Sequence, residues 1–386
     1  MKPSERALTF PGFVDVHVHF RDPGVPEAET TASGLAAAER GGFAAVVTMP
    51  NTTPACDSPE AIRKQREEGR GKGEEGGCRL FPSACITKGR LGREVADLEA
   101  LAEAGAAFFT DDGSYVADDK VMEEAMNRIA ALNMVVCQHA MDPAELKGGV
   151  IRDCALASKL GLPIISVETE TKAIRRDLSL CRETGCRLHI QHISTAAGVA
   201  LVRDAQKEGL PVTAEATPHH LLLTCDDIPF DDSPEAPRSS LFPLPSSLYK
   251  MAPPLGNRED RAELRKAVKD GVLMFATDHA PHPAAKKSLG FVRSANGIIG
   301  LETAIPITYA VMVEEEGMDV ADWAKAWYEK PRDLLQGGSG VPPLLSGLPP
   351  TTVAVGEEKA VDISSFVSLS RNCPYNGMKF RCWPCK

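Results

Sequence analysis

The residues most capable of chemistry in this sequence are its nine histidines, which occupy only five places. These places are 17/19, 139, 189/192, 219/220 and 279/282. Each place follows or ends a stretch whose apolar pattern predicts a β-strand. Imidazole nitrogen is the commonest metal ligand in proteins. We therefore expect several of these histidines to meet at one metal site, provided that their strands end at a common point.

The first place lies in the stretch FVDVHVHFRDPG at residues 13–24. Residues two apart in a strand point to the same side, so His17 and His19 can share one metal ion. Arg21 has the same phase and can reach a molecule held at the metal without being a ligand itself. The alternative is that two surface histidines simply close a strand.

Acidic residues close two further predicted strands. TDDG at residues 110–113 follows one of them, and Asp278 follows another. The pair Asp111 and Asp112 could simply form a turn before Gly113. Its place at a strand end favours a metal ligand instead. The candidate ligands are four histidines and two aspartates, too many for one tetrahedral zinc and suited to two metal ions: His17, His19, His139, His192, Asp278 and one of the pair Asp111 and Asp112.

The other histidines are expected to be structural. His189 precedes His192 by three residues, so it should face the opposite way and lie deeper in the fold. His219 and His220 are expected to support neighbouring loops.

The elements that must position these residues alternate along the chain. Eight stretches predict strands: 13–19, 44–49, 79–86, 106–110, 134–139, 187–193, 211–216 and 272–277. Helical patterns lie between them, at 29–40, 58–68, 93–104 and about 195–208. This repeat predicts an α/β fold, a (β/α)8 barrel, whose strands converge on the face where active sites lie. A doubly wound open sheet is the alternative, but the first strand lacks a Gly-rich phosphate loop.

Composition excludes several classes of protein. The 386 residues are 43% hydrophobic and 25% charged, with a net charge of −10 that is spread along the chain. The sequence has no stretch rich in basic and aromatic residues that would suggest nucleic-acid binding. No apolar run is long enough for a membrane helix. Eleven cysteines at irregular spacing, without a secretory signal, indicate reduced thiols and a cytoplasmic protein.

Two long motifs carry a resemblance to a known family. DVHVHFRDPG at 15–24 and ATDHAPHPAAKK at 276–287 resemble the two signatures of the dihydroorotases, in the cyclic amidohydrolase superfamily. The stretches TMPNT at 48–52, LHIQHIST at 188–195, VTAEATPHHL at 212–221 and NGIIGLETA at 296–304 resemble further family segments in the same order. The resemblance runs from about residue 11 to about residue 384.

The resemblance implies a metal-dependent amidohydrolase barrel at residues 11–345 and a truncated or reduced β-sandwich at residues 346–386. It implies two divalent ions, expected to be zinc, on the six candidate ligands above. The strand before TDDG has no lysine of the kind that bridges the metals in many superfamily members. TDDG at 110–113 resembles instead the motif of bacterial dihydroorotases in which the second Asp bridges, which implies that Asp112 would bridge the two ions. Asp278 would also be the catalytic acid–base. The substrate would be bound by Arg21, Asn51, His282, Asn296 and Gly297, under a mobile lid at residues 283–295.

The implied activity is that of a dihydroorotase, a hydrolase acting on cyclic amide bonds. It interconverts N-carbamoyl-L-aspartate and (S)-dihydroorotate in pyrimidine synthesis, with a metal-activated hydroxide as nucleophile and Asp278 moving the proton. The small-molecule substrate is the main expected partner, with a homodimer or a complex with aspartate transcarbamoylase as possible assemblies. Three alternatives stay open: another cyclic amidohydrolase such as a hydantoinase or allantoinase, an inactive scaffold for aspartate transcarbamoylase, and a non-functional truncated product.

The sequence departs from the family in three places. Ala252 and Gly256 stand where many bacterial relatives have Asn and Arg, which removes one substrate contact. Residues 231–249 predict a long surface loop. Only about a dozen residues precede the barrel, so residues 351–364 are expected to supply sandwich strands with few partners and open edges.

Overall fold

The structure, a computed structural model, describes residues 6–73, 77–230, 244–336 and 345–385. Its strands are β1 (Arg6–Phe10), β2 (Phe13–Val18), β3 (Phe43–Thr48), β4 (Arg79–Pro82), β5 (Val135–Gln138), β6 (Ile151–Arg152), β7 (Ile164–Ile165), β8 (Arg187–Ile190), β9 (Val212–Ala216), β10 (Leu273–Phe275), β11 (Thr351–Ala360) and β12 (Lys379–Pro384). Residues 231–243 of the predicted surface loop lie outside the described residues.

The helices alternate with these strands. They are α1 (Thr31–Arg40), α2 (Pro59–Gly73), α3 (Leu98–Ala104), α4 (Asp119–Ala131), α5 (Pro143–Leu146), α6 (Ala155–Leu160), α7 (Glu168–Thr184), α8 (Ala196–Lys207), α9 (Pro218–Leu222), α10 (Arg258–Lys269), α11 (Ala284–Lys287), α12 (Gly290–Arg293), α13 (Ala304–Thr308) and α14 (Val320–Leu335). Within the described ranges, no helix is both long and apolar enough to cross a membrane.

The barrel is built from two parallel sheets that join at both edges. One sheet has the order β2-β3-β4 and the other the order β5-β8-β9-β10. Between them, Phe109 pairs in parallel with Ala84 on one side and Val136 on the other. The ring closes where Val18 pairs in parallel with His279. The predicted (β/α)8 barrel is therefore confirmed, with the predicted strand at 106–110 contributing only a short pairing.

Burial on both faces explains the strongly apolar strands. Every residue of β2 and of β3 is buried, as expected for parallel strands covered by helices. A smaller core inside the ring contains Val14, Val16 and Val47, while Phe13 and Val18 pack in the larger core beneath the helices. The register between β2 and β3 shifts between Asp15 and Val18, just where the first strand reaches its histidines.

Helix α14 fastens the base of the first strand. Trp323 and Trp327 are fully buried, and both rings pack against Phe13, with centroids 5.5 and 6.5 Å away. Trp327 also contacts the rings of Phe43 and Phe275, at 5.2 and 5.0 Å. Aromatic contacts of this kind bury large areas of apolar surface. The two tryptophans of α14 therefore stabilise the position of three barrel strands, β2, β3 and β10.

A separate antiparallel sheet lies beside the barrel, with the strand order β1-β11-β12. Residues Arg6–Phe10 pair with Thr351–Val355, and the strand Lys379–Pro384 pairs with the other edge of β11. The expectation that residues 351–364 would have few partners is therefore wrong for β11, which has a partner on each side. The domain boundary between residues 345 and 346 stays a prediction.

Candidate active site

The six predicted metal ligands meet at the carboxyl ends of the barrel strands. His17 lies near the end of β2 and His19 just after it, while His139, His192 and Asp278 follow β5, β8 and β10. All six side chains are buried, with His139 the most exposed at 8%. Two of them have backbone angles in the left-handed region, with φ of +33° at His192 and +47° at Asp278. Non-glycine residues rarely adopt this conformation, and such strain is concentrated at functional sites.

Asp112 lies at the centre of the cluster. Its Oδ1 is 3.5 Å from His17 Nε2, 3.5 Å from His139 Nδ1 and 3.6 Å from His192 Nε2, and its Oδ2 is 3.4 Å from His19 Nε2. Ligand atoms therefore form two compact groups that share Asp112: one with His17 and His19, the other with His139 and His192. Asp278 Oδ1 joins the first group, 3.1 Å from His19 Nε2 and 3.5 Å from His17 Nε2.

The chemistry of the cluster fits divalent metal ions. His17 Nε2 and Asp112 Oδ1 are buried and have no hydrogen-bond partner among the described residues. Buried polar atoms left unpaired are costly, which points to a ligand that these atoms are arranged to receive. Imidazole nitrogens with carboxylate oxygens are a donor set that zinc favours.

The two neighbouring aspartates have different surroundings. Asp111 turns away from the cluster and accepts hydrogen bonds from the backbone N–H groups of Ile86 at 2.9 Å and Thr87 at 3.1 Å, and from the Thr87 hydroxyl. Burial raises the pKa of Asp111, and those bonds oppose the rise. Asp111 therefore secures the loop after β4, while Asp112 faces the histidines.

Glu215 in β9 is a residue of this site that sequence reasoning missed. Its Oε1 lies 2.5 Å from His17 Nδ1 and accepts the backbone N–H of His192 at 3.1 Å. Burial alone would raise the pKa of Glu215, but the neighbouring His17 and His189 lower it to about 2. A carboxylate behind a ligating histidine fixes the ring orientation and its tautomer. The signal available in the sequence was an acidic residue inside a buried strand.

His189 lies beneath the cluster, and its Nε2 is 3.0 Å from Glu215 Oε2. Its Nδ1 is 2.8 Å from Thr213 Oγ1. The expectation that it faces the opposite way is wrong, because Glu215 contacts both His189 and His17. The physical reason is the left-handed backbone at His192, which breaks the strand alternation after β8 ends at residue 190.

His220 supports neighbouring loops, as predicted. Its Nδ1 is 2.8 Å from Thr217 Oγ1, and its Nε2 is 3.1 Å from the carbonyl oxygen of Pro253. His219 is also buried, but its Nε2 has no hydrogen-bond partner within the described residues. Burial lowers the pKa of His219 to about 4, so its ring is neutral.

A cavity of about 300 Å³ opens onto the cluster. Its wall contains all five residues predicted to bind substrate and five of the six predicted ligands, the exception being the deeper His17. The lining residues are His19, Arg21, Asn51, Arg90, Asp112, Gly113, His139, His192, Ala252, Asp278, Ala280, His282, Asn296 and Gly297.

Arg21 and Asn51 lie next to the group of ligand atoms that contains His17 and His19. Asn51 Oδ1 is 3.0 Å from His19 Nδ1. Arg21 Nε donates to the carbonyl oxygen of Pro281 at 3.1 Å, and in the described parts of the chain its guanidinium forms no ion pair. Burial lowers the pKa of Arg21 to about 10, so it stays charged at neutral pH.

The segment from residue 282 to residue 297 closes one side of the cavity and contains α11 and α12. Lys287 is buried and donates to the carbonyl oxygens of Lys250, Ala295 and Gly297, at 3.2, 2.9 and 3.0 Å. Lys250 Nζ donates to the carbonyl oxygen of Ser294 at 2.9 Å. These two lysines tie the segment to the barrel, and neither was singled out from the sequence. The predicted closure of residues 283–295 stays a prediction.

The backbone of Asn296 and Gly297 is already engaged in this structure. Asn296 O lies 2.6 Å from His282 Nε2, and Gly297 N donates to Lys250 O at 3.0 Å. Gly297 has a φ of +122°, and a Cβ there would lie 2.6 Å from the Cβ of Ala280. The position therefore requires glycine.

Comparisons with known proteins agree on the family. The Dihydro-orotase-like family model matches residues 6–197. A dihydroorotase of Geobacillus sp. (strain WCH70) is 40% identical over 385 residues, which cover 97% of this chain and 84% of the relative. A dihydroorotase of Thermus aquaticus is 39% identical over 384 residues, covering 97% of this chain and 85% of the relative.

Solved structures share the fold. L-hydantoinase (dihydropyrimidinase) from Arthrobacter aurescens superposes with a TM-score of 0.79 at 24% identity, over 98% of this chain and 83% of that chain. Dihydroorotase from Saccharomyces cerevisiae, solved with 5-fluoroorotic acid, superposes with a TM-score of 0.66 at 17% identity, over 98% of both chains. Both show that this chain shares their barrel fold. Given the identity and the coverage of the curated relatives, this chain belongs to the dihydroorotase family.

Proposed function

We propose that this chain is a dihydroorotase that interconverts N-carbamoyl-L-aspartate and (S)-dihydroorotate. The observation that carries the proposal is the composition of the cavity. It joins a histidine–aspartate cluster suited to metals with the half-buried Arg21, whose guanidinium forms no ion pair within the described residues. A small molecule that carries both a cyclic amide and a carboxylate complements these two parts.

Two divalent ions, with zinc as the expected identity, would be held by His17, His19, Asp112, His139, His192 and Asp278. When bound, such ions lower the pKa of a water molecule and polarise the ring carbonyl. Asp112 would contact both ions, a role supported by its presence in both groups of ligand atoms.

Asp278 is the proposed acid–base. Burial alone would raise its pKa, but the hydrogen bond with His19 and the charges of His17 and His192 lower it. Asp278 is therefore ionised in the resting site and able to accept a proton from the attacking water. It then returns the proton to the departing ring nitrogen, and cyclisation follows the same path in reverse.

Arg21 and Asn51 would bind the substrate carboxylate, because the planar guanidinium matches a carboxylate in two parallel bonds. Burial and the charge of Arg21 lower the pKa of His282 to about 3, so this imidazole is neutral. For His282 to donate to the same carboxylate, it must release Asn296 O or gain a proton, and the ligand's negative charge favours the second. Asn296 and Gly297 complete the proposed substrate wall.

The chemistry predicts a clear substrate preference. Purified chain should convert dihydroorotate with a kcat/KM at least about a hundredfold above that for hydantoin, since only dihydroorotate offers a carboxylate to Arg21. Faster turnover of hydantoin or allantoin would assign the chain to another cyclic amidohydrolase activity. The cytoplasmic location and an assembly as a homodimer or with aspartate transcarbamoylase stay predictions.

A further inference from the structure

Arg90 is the second arginine in the wall of the cavity. It ends the short helical turn Lys88–Arg90, which follows β4. Its backbone has a φ of +57°, in the left-handed region that non-glycine residues rarely adopt. The fold therefore holds an unfavourable backbone conformation at the residue that brings a guanidinium into the cavity.

The Arg90 side chain is fixed on one edge. Its Nη2 donates to the carbonyl oxygen of Asp112 at 2.7 Å and to Ser114 Oγ at 3.1 Å. These bonds fix the guanidinium against the loop that carries the central aspartate of the cluster. A planar guanidinium held on one edge keeps its other donors in a set direction.

The remaining donors of Arg90, Nε and Nη1, have no hydrogen-bond partner among the described residues. Its Nε is buried and has no hydrogen-bond partner, and across the described ranges Arg90 forms no ion pair with a carboxylate. A buried donor without a partner is costly. The observation indicates an acceptor that the protein itself does not supply.

The positions of neighbouring groups show where such an acceptor would lie. A Cβ at Gly113 would be 3.2 Å from Arg90 Nη2 and 3.3 Å from Asn51 Nδ2, so the guanidinium and the amide lie close together over this glycine. Because Nη2 already donates to Asp112 and Ser114, the donors left for an acceptor are Nε and Nη1. Arg21 is also near, because the charge of Arg90 contributes to the lowering of its pKa. Two guanidiniums and one amide in the same small cavity favour an anion with several acceptor oxygens.

We propose that Arg90 is a second carboxylate-binding residue of this cavity, which acts with Arg21 and Asn51 to select substrates that carry a free carboxylate. The inference deepens the proposed function and rests on it, because the carboxylate concerned is that of dihydroorotate and N-carbamoyl-aspartate. A contact made equally in the ground state and the transition state changes KM more than kcat.

The test compares Arg90→Gln and Arg90→Lys with Arg93→Gln, a matched control on an exposed arginine of the same loop. We expect Arg90→Gln to raise the KM for dihydroorotate by about tenfold or more, with kcat per bound metal within about threefold. The calorimetric Kd for orotate, a stable carboxylate-bearing analogue, should rise in parallel. Arg90→Lys should recover part of the loss because it keeps the charge, and Arg93→Gln should match the wild type.

A purely structural Arg90 would give the opposite pattern: lower metal content or a lower kcat, with the Kd for orotate unchanged. That result would overturn the inference and leave the proposed function intact. If the wild type fails to turn over dihydroorotate, the proposed function fails separately, and the orotate Kd still decides the inference. An unchanged Kd in Arg90→Gln, or no binding of orotate by the wild type, would then refute it.

Discussion

Two walls of the same cavity are held in place by different means. On one wall, the histidines and aspartates of the cluster lie at strand ends, where the barrel's own hydrogen bonds fix the backbone. On the other, Arg21, Arg90 and the segment from residue 282 to residue 297 lie on loops. The positions of these loop residues depend on individual hydrogen bonds from side chains to backbone carbonyl oxygens, such as those that Lys287 donates. We call the first the strand wall and the second the loop wall. Substitutions on the strand wall should therefore change the chemistry, and those on the loop wall should change substrate binding and local stability.

The largest difference is expected between adjacent residues of the strand wall. Asp112→Ala should abolish activity and weaken the binding of both metal ions, because Asp112 lies in both ligand groups. Asp111→Ala should keep the metals and lower the free energy of unfolding by about 1–3 kcal/mol, since it leaves buried donors at residues 86 and 87 unpaired. Elemental analysis, activity and urea unfolding of the two variants test this pair. Loss of metal in Asp111→Ala with metal retained in Asp112→Ala would reverse the assignment.

On the loop wall, Arg21→Met should lower kcat/KM for dihydroorotate by at least about a hundredfold, because a charge-assisted bond pair in a closed site is lost. Metal content should be unchanged. Arg21→Lys keeps the charge without the planar fork and should still be impaired. Retained catalytic efficiency in Arg21→Met, with only a loss of stability, would remove Arg21 from the substrate site.

A smaller effect on the strand wall is expected at Glu215. Glu215→Gln removes the charge behind His17 and should weaken metal affinity by about tenfold to a hundredfold. Glu302→Gln is a matched control, because Glu302 is also buried but binds the backbone N–H groups of Val367 and Ser368. Titration with a competing chelator measures both. Equal metal affinity in the two variants would show that Glu215 has no role in orienting the ligand.

The smallest effect is a pH dependence on the loop wall. Burial lowers the pKa of Lys287 from its ordinary value of 10.5 to about 7, and the charge of Lys250 adds to the effect. Above pH 7 the unfolded chain therefore binds more protons at this residue than the folded chain, so stability rises with pH. Between about pH 7 and 8.5, the free energy of unfolding should rise by about 1–2 kcal/mol more in the wild type than in Lys287→Met.

Lys286→Met, at the exposed neighbouring lysine, is the control for that measurement. Its unfolding free energy should follow the wild-type pH dependence across the same range. Parallel curves for the wild type and Lys287→Met would mean that Lys287 titrates near its ordinary value in the folded protein.

The strand wall could be predicted from sequence and much of the loop wall could not, for a physical reason. A period of two and the convergence of barrel strands determine where His17, His19 and Asp278 lie, without knowledge of any loop. The same rule failed at His189, because the left-handed backbone at His192 breaks the period. Glu215 was missed because its role depends on His17, which lies two strands further around the barrel. No local sequence pattern indicates such a contact.

The loop residues depend on contacts between distant parts of the chain. Arg90 reaches the cavity through a left-handed turn, and Lys287 becomes buried only because three carbonyl oxygens converge on it. The strand Arg6–Phe10 is another case. Five mostly exposed residues carry a weak strand signal, and their pairing with Thr351–Val355 is set by chain ends that are far apart in sequence. This pairing explains why β11 has more partners than expected.

The most direct test of the account is the metal content of the purified chain, measured by elemental analysis on protein never exposed to a chelator. We expect about two divalent ions per chain, mainly zinc, because two groups of ligand atoms share Asp112. Metal-free protein that converts dihydroorotate at the full rate would contradict the central claim that Asp112 joins two metal sites at the mouth of this barrel.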